Sequence, residues 1–92
     1  MLFEWNIAKA KNNLRKHGVS FEEAASVFLD PLALTFADPD HSADEEREIT
    51  IGLSLRQKAV LVSHCWRGER TRIISARKAT RNEKAQYEEG IR

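Results

Sequence analysis

From Arg47 to Ser54 the side chains alternate. Arg47, Ile49, Ile51 and Leu53 fall on one side, and Glu48, Thr50, Gly52 and Ser54 on the other, a period of two that predicts a strand. Leu55-Arg56-Gln57-Lys58 interrupts the pattern as a turn. Ala59 to Trp66 follows as a second strand, with a near-continuous apolar start that suits a central position. Arg67-Gly68 fits a two-residue hairpin loop. With that loop, Trp66 lies opposite Glu69, Cys65 opposite Arg70, His64 opposite Thr71 and Ser63 opposite Arg72. Arg70 and Arg72 then share a face with Cys65 and Ser63, and His64 points to the other face. Strict alternation also turns Arg77 away from Arg70 and Arg72. Upstream, Leu32 to Phe36 reads as a strand, and Leu2 to Trp5 as a brief one at a sheet edge.

The remaining segments have a helical period. Ile7, Ala10, Lys11 and Leu14 recur at helical spacing after Asn6, whose side-chain oxygen can accept a free backbone N–H at the helix start. Gly18 supplies the stop, and His17 in the last turn meets the negative end of the helix dipole. Ser20 and Glu23 form a capping box, with Val19 and Ala24 at the positions of a hydrophobic staple. Phe21, Ala24, Ala25 and Phe28 mark the buried face of that second helix, which Asp30-Pro31 ends. Thr80 and Glu83 form a second capping box, so a last helix starts near Arg81 and runs to about Glu89. The order of strand, two helices, four strands and a helix predicts an α+β fold. It has a small antiparallel sheet, made of a short N-terminal strand plus a four-strand meander, with the helices packed on one face.

Composition narrows the class. Ninety-two residues make one domain, 1–92, and 41% hydrophobic with 32% charged residues predicts a folded chain. A net charge of +1 names no partner, but the charges are segregated. Arg67, Arg70, Arg72, Arg77, Lys78, Arg81 and Lys84 crowd one stretch, while Asp38, Asp40, Asp44, Glu45, Glu46 and Glu48 crowd another. The basic stretch suits a polyanion, and the acidic one suits a basic segment of a protein partner or a plain solvated loop. Cys65 is alone, so no internal disulfide forms, and no Cys/His cluster has zinc spacing. His41, set among aspartates, therefore reads as part of a solvated acidic loop. The start of the chain lacks the apolar core of a signal peptide and no run approaches membrane-spanning length, so a cytoplasmic protein is expected.

The basic stretch also carries chemistry. RNA is cut without a metal or other cofactor when the ribose 2′-OH attacks the adjacent phosphate. A base takes the proton, cations hold the added negative charge, and an acid protonates the leaving oxygen. Arginine suits the charge term because its planar fork grips two phosphate oxygens. Arg70, Arg72, Arg77 and Arg81 are the candidates for phosphate binding, with Arg72 and Arg77 also placed in the catalytic set. His64 and Tyr87 are the candidate proton carriers. Each has an ordinary alternative: a packed strand histidine, a core helix tyrosine, and an Arg77 that pairs with Glu83 to anchor the last helix.

The chain resembles the BrnT family, the toxin half of a bacterial type II toxin–antitoxin pair. The resemblance rests on Phe3-Glu4-Trp5 with Lys9 and Lys11, on Asn13 through Ala24, on Phe28 with Asp30-Pro31, on Glu46-Arg47 and on Ile51-Gly52. Its most specific piece is Arg72-Ile73-Ile74-Ser75-Ala76-Arg77-Lys78-Ala79, with Glu83 and Tyr87 after it. The resemblance implies a RelE-like ribonuclease fold and RNA cleavage that slows translation. It also implies a BrnA-like antitoxin partner, through which operator DNA would be bound. The alternative is a regulatory module that binds RNA or protein without cutting.

Overall fold

A computed structural model describes residues 1–41 and 46–90. Asp44 and Glu45 of the acidic segment, and with them part of the surface expected to meet a basic partner, lie outside the described residues. Three helices and five strands follow in the order β1 (Leu2–Glu4), α1 (Ile7–His17), α2 (Phe21–Ser26), β2 (Leu34–Ala37), β3 (Arg47–Leu53), β4 (Ala59–Arg67), β5 (Arg70–Lys78) and α3 (Arg81–Gly90). They form the expected α+β fold. Strands β2 to β5 make an antiparallel meander, while β1 pairs in parallel with β5, so the sheet is mixed, in the order β1-β5-β4-β3-β2. No helix among the described residues is long and apolar enough to cross a membrane.

The caps form where the sequence places them. Asn6 Oδ1 accepts from Lys9 N–H at 3.0 Å, and Gly18 closes α1 at φ 71°. Ser20 Oγ accepts from Glu23 N–H at 3.0 Å. The Glu23 carboxylate, however, accepts from Ser54 Oγ at 2.7 Å, so it ties α2 to the end of β3. Around α3 the capping box is reciprocal, with Glu83 N–H donating to Thr80 Oγ1 and Thr80 N–H to Glu83 Oε1.

Two arrangements differ from the sequence expectation. The helices lie on both faces of the sheet. Phe21, Ala24 and Val27 pack with Val60, Val62, Ile73 and Ala76 on one face. Tyr87 of α3 packs with Ile51 and Leu61 on the other. Further, Ile7 and Leu14 of α1 are exposed, and the buried residue of that helix is Asn13. The reason is a sheet edge. Strand β1 covers β5 only at Arg70 to Arg72, leaving the outward N–H and C=O of Ala76 without a strand partner. The Asn13 side-chain amide takes that place. Its Nδ2 donates to Ala76 O at 2.8 Å and to Val19 O at 2.9 Å, and its Oδ1 accepts from Ala76 N–H at 3.1 Å. A side-chain amide thus completes the ladder that a longer β1 would otherwise supply.

Candidate active site

The hairpin between β4 and β5 turns at Gly68-Glu69, one residue later than the sequence suggests, with Gly68 at φ 63°. The pairs near the turn are Arg67 with Arg70, Trp66 with Thr71, Cys65 with Arg72 and His64 with Ile73. The register then shifts, and Ser63 pairs with Ser75, Val62 with Ala76 and Leu61 with Arg77. Ile74 is the extra residue of a β-bulge. Strict alternation would send Arg77 to the far face. The bulge reverses its side and returns it to the face that carries Arg70 and Arg72.

That face is built in rows across the strands. One row reads Glu4, Arg72, Cys65, Arg47; the next Ser75, Ser63, Ile49; the third Arg77, Leu61, Ile51. Arg72 and Arg47 flank Cys65 about 10 Å apart, two inter-strand spacings. Arg77 stands two rows further on, about 13 Å along the strands. Between them lies a hydroxyl-bearing floor of Ser63 and Ser75. Arg47, Ile49, Leu61, Ser63, Ser75 and Arg77 line a groove of about 350 Å³, which His17 joins from α1, Asp38 from just after β2 and His41 from the 3₁₀ turn Pro39–His41.

The arginines are held by carboxylates. Arg72 Nη1 donates to Glu4 Oε2 at 3.0 Å. Arg77 makes a two-pronged contact with Glu83 at 2.7 and 2.9 Å. This contact is the first cause of a Glu83 carboxyl lowered to about 2, and the same bond raises Arg77 above its ordinary value. Arg70 is exposed at the hairpin end of the face, beside Leu2, Glu4 and Arg67. Arg81, the first residue of α3, lies with Lys84 and Glu88 on that helix's outer side, away from the groove residues.

Of the two expected proton carriers, His64 lies on the opposite face and Tyr87 packs on Ile51 and Leu61 at the α3 end of this one. His64 is buried on the α1/α2 face, edge-on to the Phe28 ring at 4.9 Å, with Nε2 bonded to Thr50 Oγ1 at 2.7 Å. Burial lowers its pKa, against an upward pull from Glu48. Tyr87 is buried, and its hydroxyl donates to Asp30 Oδ2 at 2.5 Å. Desolvation, then the Asp30 bond and charge, pushes it up to about 12. Burial favours the neutral form of Asp30, but the bonds from Leu53 N–H, Tyr87 and Leu32 N–H outweigh it and keep its pKa below the ordinary value. These contacts clamp α3 to the end of β3.

Two groove residues stand outside the site candidates of the sequence: Arg47, and His41, whose acidic neighbours mark it as solvated loop. Arg47 was recoverable, since it alternates with Ile49 and Ile51 toward this face. His41 was not, because its approach to the groove depends on where β2 delivers the loop. His41 Nδ1 donates to the Asp38 carboxylate at 3.0 and 3.2 Å. Among the described residues no group of three His, Cys, Asp or Glu side chains is arranged to hold a metal ion.

The fold and face together define a small α+β protein with an arginine-framed groove of a size and charge suited to a sugar–phosphate chain. Residues 5–83 match the family described as the ribonuclease toxin BrnT of type II toxin–antitoxin systems, and the chain belongs to that family. Membership implies an antitoxin partner. The crystal structure of the Brucella abortus ribonuclease toxin BrnT is similar, with a TM-score of 0.69, 26% identity, and coverage of 88% of this chain and 99% of that one. No curated protein sequence matches the chain.

Proposed function

We propose that the protein is a metal-independent RNA endonuclease, acting in the cytoplasm to slow translation, with Arg72 and Arg77 stabilising the charge that builds on the scissile phosphate. The observation that carries the reading is the Ile74 bulge, which brings Arg77 and Ser75 to the face where Arg72 and Arg47 already flank Cys65. Guanidinium groups fixed before substrate arrives stabilise developing charge at little reorganisation cost. Arg70 extends the cationic face toward the hairpin and would hold a neighbouring phosphate, while Arg81 would serve only a strand that wraps over α3. His64 is buried on the opposite face, and Tyr87, packed against Ile51 and Leu61 at the far end of this one, has its hydroxyl committed to Asp30, so both are unsuited to touch the reacting atoms. A BrnA-like antitoxin would silence the protein by covering the groove with an acidic segment, and operator DNA would be bound through that partner alone.

A second reading has its own support. Both Arg72 and Arg77 have carboxylate partners, as structural anchors do, and this favours a module that binds RNA or protein without cutting it. Cleavage of RNA by the purified protein in EDTA separates the two. Arg72→Ala and Arg77→Ala should each slow cleavage about 10²- to 10³-fold while near-ultraviolet circular dichroism shows an intact fold. Parent-like rates in both folded variants would remove the arginines from the site, and RNA binding without any cleavage by the parent would establish the regulatory reading.

A further inference from the structure

We infer that His41, oriented by Asp38, is the general base that takes the proton from the ribose 2′-OH, an assignment that rests on the ribonuclease reading above. The geometry fixes the tautomer. An ionised carboxylate only accepts hydrogen bonds, so His41 Nδ1, at 3.0 and 3.2 Å from the two Asp38 oxygens, must carry the proton. Nε2 is left with the lone pair, which is the state a base needs. Asp38 itself is anchored: its N–H donates to Arg47 O at 2.9 Å, and its carbonyl accepts from His41 N–H at 3.3 Å. The Asp38 side chain is 13% exposed and that of His41 67%, so the carboxylate is sheltered while the imidazole is presented. Both line the groove that Arg47 and Arg77 frame. An oriented imidazole, opposite fixed guanidinium groups, is what 2′-OH attack requires and what neither His64 nor Tyr87 provides.

The step balances. His41 Nε2 takes the 2′-OH proton as the O2′–P bond forms. The P–O5′ bond breaks, the leaving O5′ takes a proton from solvent water, and the imidazolium returns its proton to solvent. The products are a 2′,3′-cyclic phosphate and a free 5′-OH. Asp38 is a positioning residue and never touches the substrate. The other charged groups lining the groove among the described residues are His17, Arg47 and Arg77.

The competing account is local: the His41–Asp38 contact does no more than close the 3₁₀ turn. Single-turnover cleavage of a short RNA across a pH series in EDTA decides between them, with binding of the all-2′-deoxy strand measured in parallel. His41→Ala should lose about 10²- to 10⁴-fold in cleavage, keep its affinity for the deoxy strand, and lose the low-pH limb of the rate profile. Asp38→Asn should cut more slowly than the parent while keeping its affinity for the deoxy strand, because the imidazole loses the carboxylate that orients it. Cleavage by His41→Ala within about threefold of the parent, or a loss matched in cleavage and binding alike, or an unchanged limb, overturns the assignment. Failure of the parent to cut RNA at all would refute the ribonuclease reading itself, and is told apart by the parent's own rate.

Discussion

Replacing Asn13 by alanine tests how the candidate site is supported. The residue is 7% exposed, and its side chain makes three hydrogen bonds of 2.8 to 3.1 Å, two to Ala76 and one to Val19. Alanine removes all three and strands one backbone N–H and two carbonyls in a region the solvent barely reaches. At about 1 kcal/mol net per bond, the loss is about 3 kcal/mol. A domain of this length holds roughly 5–14 kcal/mol in all, so urea titration should show a clearly lower midpoint at an unchanged slope. Asn13→Asp should be worse than alanine at neutral pH. Its carboxylate still accepts from Ala76 N–H, but it faces the carbonyls of Ala76 and Val19 with no proton to offer. Ala76 directly precedes Arg77, so RNA cleavage should fall in both variants even where they remain folded. If Asn13→Ala costs less than about 1 kcal/mol, or Asn13→Asp is the more stable of the two, the amide does not substitute for a strand.

The other predictions concern titration and the displaced candidates. Glu83, lowered from 4.5 to about 2 by Arg77, gives support worth at most about 3 kcal/mol, and about 1–2 kcal/mol once the screening of a 39%-exposed Arg77 is allowed for. Because the folded value is the lower one, that support is complete above pH about 4.5 and is lost as pH falls toward about 2. The stability gap between the parent and Glu83→Gln should therefore close over that window, and a gap constant from neutral pH to about pH 3 would contradict it. Tyr87→Phe should lose about 1–2 kcal/mol of stability through the Asp30 bond and cut RNA at the parent rate. A folded Tyr87→Phe that no longer cuts would return Tyr87 to the mechanism. His64 has a lowered pKa, so the parent should lose stability as pH falls below about 6.5 and His64→Gln should lack that dependence; cleavage abolished in a folded His64→Gln would restore it as a proton carrier.

Local signals were legible in the sequence. Asn6, Gly18, Ser20 and Thr80 mark helix ends because capping uses atoms only a few residues away, and β3 and β4 show their faces through alternation. What depends on pairing partners was not. The bulge at Ile74 exists because β5 must satisfy β4 on both sides of the register shift, and no residue within β5 announces it. Asn13 looks like polar helix surface until the missing stretch of β1 is known. The side of the sheet taken by α3 was equally hidden, since Tyr87 is its one buried residue among those described. His41 looked like solvated loop because its neighbours in sequence are acidic, whereas its neighbours in space include Arg47 and Arg77.

The parallel pairing of β1 with β5 bears on how the protein is made. Leu2, Phe3 and Glu4 are synthesised well before their partners Arg70, Thr71 and Arg72. Asn13 likewise waits for Ala76, and α2 packs against strands not yet synthesised. Pairings between such distant segments make a slow and late-forming nucleus. The arginine face cannot exist on a partial chain, because β5 supplies Arg72, Ser75 and Arg77 to it. A toxin laid out in this order carries no assembled arginine face until β5 has been made.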